Sequence, residues 1–190
     1  ARGMNARVIV TEVEPIKALE AYMDGFEVMP MAEACKHADM IVTATGQRSV
    51  VTEEHFKVMK DNAILANAGH FDVEIDVGWL EDNARGKRVI RDNLEEYILD
   101  GKNVYLIGKG RIANLVAAEG HPPEVMALSF SNQLLSIVYI VNNHGKLENR
   151  VYSVPEEIDR QIAINALEAM NVHIDTLSKE QVEYARSWAL

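Results

Sequence analysis

The sequence has almost no cysteine and no clusters of basic residues, and each shortage excludes a class of protein. Its 190 residues contain one cysteine, Cys35, so an internal disulfide framework is impossible. Cys and His never fall at the spacing of zinc ligands, and we expect no metal site. A chain of this kind is expected in a reducing, cytoplasmic setting.

The charge of the chain is acidic, with 19 Lys and Arg against 29 Asp and Glu. Phosphate backbones are bound by clustered Lys and Arg, so we expect no nucleic-acid partner. The longest apolar stretch, 124–141, contains polar residues that we expect to make it too polar for a membrane span; these are Ser129, Ser131, Asn132, Gln133 and Ser136. Residues 1–10 also lack the apolar core of a signal peptide.

Through residue 107, short β-branched runs alternate with helical patterns, which is typical of a parallel sheet with crossover helices. Strands are predicted at 7–11, 26–29, 39–44, 63–67 and 103–107, with short helices from Pro15, Met31 and Glu53. Segment 87–99 departs from this rhythm, because two short apolar runs flank a polar turn. It is either an insertion or an antiparallel edge.

After Gly120, Pro122 and Pro123 open a long helix that is apolar around much of its circumference, so we expect it to be buried on several sides. Amphipathic helices are predicted near 155–170 and 178–188, the second with a capping box at its start. The predicted fold class is α/β: a partial doubly wound (Rossmann-type) parallel sheet lacking its first strand, followed by helical carboxyl-terminal segments. The predicted divisions are 1–120, 121–145 and 146–190.

Glu12 closes the first β-branched run, where an acid in a nucleotide-binding unit can accept hydrogen bonds from both ribose hydroxyls of NAD. Taken alone, it is more simply an exposed strand-end carboxylate. Thr43, Thr45 and Gly46 end another strand and could contact a cofactor or merely make a turn.

Two histidines follow glycines at sheet or helix ends, His70 after a buried strand and His121 before the long helix. Each could be a site residue or a packing residue. The sequence at 108–113 fits G-x-G-x-x-A, but the required second strand and acid do not follow. We therefore interpret Gly108 and Gly110 as turn glycines close to a ligand or another backbone. Asn114, in an apolar segment, would need hydrogen-bond partners if buried.

Several segments together resemble one family. In order and spacing, ARVIVTEVEPIKALEAYMDGFEV, NAGHFDVEIDVGWL, GRIANLVAAEGHP and SFSNQ resemble the carboxyl-terminal half of S-adenosylhomocysteine hydrolase. The resemblance implies a tightly bound NAD that is used without net redox change. The nucleoside 3′-hydroxyl is oxidised, homocysteine is eliminated, water adds, and the ketone is reduced, giving adenosine and homocysteine.

The resemblance also implies site residues. Cofactor contacts are expected at Glu12, Lys17, Thr45, Gly46, Ala68, Gly69, His70, Asn114 and His121. Contacts with the substrate are expected at Leu115, His121 and Met126, and the catalytic residues would be His70 and His121. Gly120 and His121 would form one hinge, with the helix after it packed on the substrate domain.

The sequence departs from the family pattern in three respects. Lys17 stands where many members have Asn, and a cation there could reach a phosphate. Ala68 replaces the more usual Ile. The chain ends at SWAL without the Lys- and Tyr-bearing tail that reaches a neighbouring subunit's NAD in many members.

The family's glycine-rich loop and its catalytic lysine and aspartate would precede residue 1, so this chain alone should be inactive. Its expected partners are its own amino-terminal substrate domain, the small-molecule substrate and further copies in a homo-oligomer, a tetramer by resemblance. A catalytically silent NAD-binding regulatory homologue and another NAD-dependent dehydrogenase remain as alternatives.

Overall fold

The computed structural model describes residues 1–187, which divide into two compact units. The first, Ala1–Gly120, is an α/β unit with a partly parallel sheet, and the second, which begins at His121, is helical. The predicted fold class is confirmed.

The first unit follows the predicted alternation of strands and helices. Its elements in chain order are β1 (Ile9–Val10), α1 (Pro15–Met23), β2 (Glu27–Val28), α2 (Met31–Ala34), β3 (Met40–Thr43), α3 (Glu53–Val58), β4 (Ala63–Asn67), α4 (Val77–Asn83), β5 (Gly86–Arg91), β6 (Leu94–Leu99), β7 (Lys102–Ile107) and α5 (Ala113–Val116). Short 3-10 turns cover Arg2–Met4 and Gly108–Gly110. Helix α4, which is seven residues long, was not predicted.

The main sheet has five strands in the order β3-β4-β7-β6-β5. Strands β3, β4 and β7 are parallel, whereas β5 and β6 are antiparallel, so segment 87–99 is an antiparallel edge. The core lies against this sheet and includes Phe56, Leu65, Leu80 and Leu106, all with no exposed surface. Trp79 is half-buried and stacks on Phe56 at a centroid distance of 5.2 Å.

Strands β1 and β2 form a separate parallel pair. Within the described chain, β1 pairs with β2 alone and β3 with β4 alone. In the doubly wound order 3-2-1-4-5-6, the strands that correspond to β1 and β3 are separated by the first strand. The observed pairing is that of a doubly wound sheet in which this position is not filled by residues 1–187.

The second unit contains α6 (Pro123–Asn142), α7 (Glu156–Ala169) and α8 (Lys179–Ser187). The capping box before α8 is confirmed, since Ser178 N–H donates to Gln181 at 2.8 Å and Gln181 N–H to the Ser178 hydroxyl at 3.2 Å. The predicted extension of this helix to residue 188 lies outside the described residues.

Helix α6 departs from its prediction. Within the described second unit none of its residues is buried, because α7 is its main neighbour, so the expected burial on several sides is not met.

Helix α6 is also long and apolar enough to cross a membrane, with a mean hydropathy of 1.4, although its polar residues had led us to expect the opposite. Length and hydropathy alone are weak evidence, because core helices of soluble proteins meet the same criteria.

Candidate functional site

Three parallel strands of the main sheet end at one edge, and the loops leaving that edge carry several predicted site residues. Strand β3 ends at Thr43, beside Asn67 at the end of β4, and β7 ends at Ile107. Ligands of open α/β sheets bind at this carboxyl edge. Thr45 and Gly46 follow β3, and Ala68, Gly69 and His70 follow β4.

Asn67 ties the ends of the three strands together. Its side chain is fully buried, and its Oδ1 accepts from the Thr43 hydroxyl at 3.2 Å and from Gly69 N–H at 2.7 Å. Its Nδ2 donates to the carbonyls of Gly110, at 2.9 Å, and Phe71. The sequence did not single out Asn67, although a polar residue ending the apolar strand AILAN is a signal for such a role.

Glu74 joins the two loops that follow β3 and β4. Its carboxylate has no exposed surface and accepts four hydrogen bonds, from N–H of Thr45, Gly46 and His70 and from the Thr45 hydroxyl. Burial, the largest single influence, opposes its charge, but these four donors together lower the pKa of Glu74. Sequence reasoning missed Glu74 too; its signal is an acid inside the β-branched run VEI.

Gly69 provides the space for the Glu74 carboxylate. A Cβ at residue 69 would lie 1.7 Å from Glu74 Oε1, well inside contact distance. Gly69 was predicted to contact the cofactor, and the space needed by Glu74 is a further reason for glycine here.

His70 and Phe71 lie beside this glycine on the loop that follows β4. Both are exposed, and their rings meet edge to face at 4.2 Å. Phe71 has a φ of 34°, a strained value for a bulky residue. The hydrogen bond from Asn67 to the Phe71 carbonyl helps to hold this conformation.

Gly108 and Gly110 have φ values of 63° and 79°, which favour glycine. They are turn glycines, as predicted, but their close neighbours are side chains of Val116 and Val77, at 2.5 and 2.8 Å from the Cβ positions, and not another backbone.

A cavity of about 310 Å³ lies beside these loops; its lining residues are Phe71, Asp72, Arg111, Ile112, Leu115 and Val116. Leu115, predicted to contact substrate, is on this wall. Asn114, in the same helix α5, is half-buried, and its amide makes no hydrogen bond with residues 1–187, which leaves it available to a ligand.

Glu12 follows β1 and is exposed. Its Oε1 accepts from N–H of Val13 at 2.7 Å and Glu14 at 3.0 Å, and Oε2 has no partner in the described chain. The backbone N–H groups of Glu14 and Val13 lower the pKa of Glu12, so it is a carboxylate at neutral pH. Lys17, in the first turn of α1, adds a smaller attraction.

His121 and Met126 lie in the second unit. His121 is exposed and directly precedes Pro122, which is the N-cap of α6. Met126 is half-buried in the first turn of that helix. Among residues 1–187, no three His, Cys, Asp or Glu side chains converge as a metal site.

Known proteins resemble this chain over its full length. Residues 1–120 match the family model of the S-adenosyl-L-homocysteine hydrolase NAD-binding domain. Adenosylhomocysteinase of Sulfurisphaera tokodaii is 57% identical over 98% of the chain, and that of Aquifex aeolicus is 58% identical over 100%.

The chain spans 45% of the first of these relatives and 46% of the second, so it corresponds to less than half of either protein. The matched model covers the whole first unit, including the edge described above. The chain therefore belongs to the S-adenosyl-L-homocysteine hydrolase family, and residues 1–120 carry its NAD-binding domain.

Proposed function

We propose that the full-length protein catalyses the NAD-dependent, reversible hydrolysis of S-adenosylhomocysteine to adenosine and homocysteine. The main support for this proposal is the 57% identity to an adenosylhomocysteinase along 98% of this chain. In this proposal the chain contributes the cofactor domain and the carboxyl-terminal part, and the remaining catalytic groups come from the rest of the protein.

The first unit fits NAD. Three parallel strands end at one edge, as in other doubly wound nucleotide-binding sheets, and an ionised acid follows β1. When bound, NAD supplies the redox chemistry, withdrawing two electrons from the nucleoside 3′-position and returning them after water has added.

At the adenosine end of NAD, Glu12 accepts hydrogen bonds from the ribose hydroxyls. Its Oε1 is already held by the backbone of Val13 and Glu14, which fixes the carboxylate and leaves Oε2 for the ligand. Its negative charge disfavours the additional phosphate of NADP. Lys17, in the first turn of α1, offers a cation to a phosphate.

At the nicotinamide end, backbone contacts at the sheet edge come from Thr45, Gly46, Ala68 and Gly69. The side chain of Asn114 binds the carboxamide. His70 lies at this end with its ring exposed. Leu115, on the wall of the neighbouring cavity, contacts the substrate adenine. His121 and Met126 complete the assignment from the second unit, His121 at the junction of cofactor and substrate.

We also propose that the remainder of the protein completes the main sheet. A strand placed between β1 and β3 would give each of them a second partner strand and restore the doubly wound order. Met40 and Val42 of β3 are 55% and 54% exposed, as expected for a strand whose covering elements lie elsewhere.

The exposed apolar surface of α6 supports packing on an amino-terminal substrate domain and assembly into a homo-oligomer. Five of its large apolar side chains are more than half exposed: Phe130, Leu134, Ile137, Ile140 and Val141. Light scattering of the full-length protein should show a stable oligomer, and an active monomer would contradict the assembly.

The reaction is tested with the full-length protein and S-adenosylhomocysteine. Release of homocysteine that is lost on NAD removal and restored on NAD addition is the expected result. Tight NAD binding without homocysteine release would instead identify a catalytically silent homologue.

A further inference from the structure

Glu74 engages the donors of two loops at once. Its carboxylate accepts from N–H of Thr45 at 3.1 Å, Gly46 at 2.7 Å and His70 at 2.7 Å, and from the Thr45 hydroxyl at 3.0 Å. We infer that Glu74 is a positioning residue for the cofactor, holding both loops with their donors turned inward. The inference rests on the proposed function, which makes these loops part of the NAD site.

The backbones of the two loops are also joined. Ser49 N–H donates to the Val73 carbonyl at 2.8 Å, and Val50 N–H donates to the Glu74 carbonyl at 2.7 Å. The Glu74 side chain is enclosed between these segments with no exposed surface. Its carboxylate therefore accepts hydrogen bonds from the two loops and would act on a ligand only through them.

This arrangement decides which ligand groups the edge can bind. Clustered backbone N–H groups in a loop commonly bind phosphate. Here the N–H groups of Thr45, Gly46 and His70 are taken, and the negative charge of Glu74 disfavours a second anion. The carbonyl oxygens of Thr45, Gly46 and Gly69 accept no hydrogen bond from residues 1–187.

The free carbonyl groups are acceptors, so they match ligand groups that donate. The carboxamide and ribose hydroxyls of a nicotinamide nucleoside are such donors, whereas the pyrophosphate is not. The acceptors that Glu74 leaves available therefore match the nicotinamide end of NAD, which the proposed function already places at this edge.

The test compares two buried glutamates in the full-length enzyme. Glu74→Gln keeps the shape of the side chain but replaces one acceptor oxygen by a donor group. We expect the Kd for NAD to rise about tenfold, as for loss of a charge-assisted hydrogen bond. At saturating NAD, kcat should fall while the KM for S-adenosylhomocysteine stays within about twofold of wild type.

Glu96→Gln is the matched control, because Glu96 has no exposed surface and accepts from Arg88 and Tyr105 on neighbouring strands. It should lower the melting temperature without changing the Kd for NAD. Glu74→Asp keeps the charge and should retain part of the affinity that Glu74→Gln loses.

An unchanged Kd in Glu74→Gln, equal weakening in both Gln variants, or equal loss in the Gln and Asp variants would overturn the positioning role. NAD titration needs no turnover, so it is independent of the reaction. A protein that binds NAD in this Glu74-dependent way but releases no homocysteine would reject the proposed reaction and keep the inference.

Discussion

Gly69 and Glu74 fit together because residue 69 has no side chain: a Cβ there would lie 1.7 Å from Glu74 Oε1 and 2.6 Å from its Cδ. The carboxylate cannot retreat without giving up its hydrogen bonds to Thr45, Gly46 and His70. The two residues are therefore coupled, although they are five positions apart on a loop.

Gly69→Ala in the full-length protein should lower the free energy of unfolding by about 1–3 kcal/mol, the range for forcing an added group into a packed site. Glu74→Asp shortens the opposing side chain. The double variant should therefore lose about 1 kcal/mol less unfolding free energy than the two single variants lose together. Urea unfolding of all four proteins measures this coupling.

Gly3→Ala is the control for this cycle, because no atom lies within 4 Å of its Cβ position. It should change stability by less than about 0.5 kcal/mol. Strict additivity of Gly69→Ala and Glu74→Asp would mean that the collision is relieved elsewhere.

The pKa of Glu74 predicts an acid-sensitive component of stability. Because the folded-state pKa is lowered, the contribution is fully present above the unfolded value of 4.5 and is lost as the pH falls through the folded value. At neutral pH, Glu74→Gln should be less stable than wild type by roughly 2 kcal/mol.

This stability difference should shrink on acidification below pH 4.5, since wild-type Glu74 must take up a proton that the variant cannot bind. Urea unfolding at a series of pH values measures it. A stability difference that stays constant down to the acid limit of folding would assign the loss to shape and not to charge.

Glu12 should determine the choice between NAD and NADP. Glu12→Gln removes the carboxylate charge while keeping an oxygen that can accept from ribose. We expect NAD to bind about tenfold more weakly and the preference for NAD over NADP to fall. Titration of the full-length protein with each dinucleotide measures the affinity and the preference. An unchanged preference would mean that Glu12 only caps the backbone of Val13 and Glu14.

The control for Glu12 is Glu14→Gln. Glu14 also caps local backbone, accepting from Lys17 N–H at 2.7 Å, but it is the N-cap of α1 and lies two residues further from β1 than Glu12. It should weaken α1 slightly and leave the dinucleotide preference unchanged.

His70 and His121 should matter more for turnover than for folding. Both are exposed, and the His70 ring packs against the ring of Phe71. In the full-length enzyme, each His→Ala variant should lose at least about tenfold in kcat/KM with a stability change below about 1 kcal/mol.

His37→Ala, which removes an exposed histidine paired with Glu33, should leave kcat/KM unchanged. Turnover and unfolding free energy, measured on the same preparations, distinguish a role in turnover from a role in packing. A parallel loss of both in His70→Ala or His121→Ala would make those histidines packing residues.

The sequence predicts the strands well because each has a strong local signal. Strand β4 begins and ends where predicted, since its apolar run lies between polar and glycine boundaries. Asn67 and Glu74 were missed for the opposite reason: their partners are distant along the chain. Asn67 bonds to residues 24 and 43 positions away, and Glu74 reaches 29 positions back to Thr45.

Helix α6 was misjudged in a related way. Its apolar circumference predicted burial on several sides, but none of its residues is buried in the described second unit, where α7 is its main neighbour. Local pattern can reveal that a face needs a partner, whereas the identity of that partner depends on residues far away or in other parts of the protein.

The unpaired side of β3 has a consequence for handling the 190-residue chain by itself. A strand with free backbone N–H and C=O groups and exposed apolar side chains such as Met40 and Val42 is a template for a foreign strand. Concentrated solutions of the piece should therefore form edge-to-edge aggregates, which a β-rich infrared signal would reveal. The stoichiometry of these aggregates would reflect pairing at the β3 edge and not the native assembly of the complete protein.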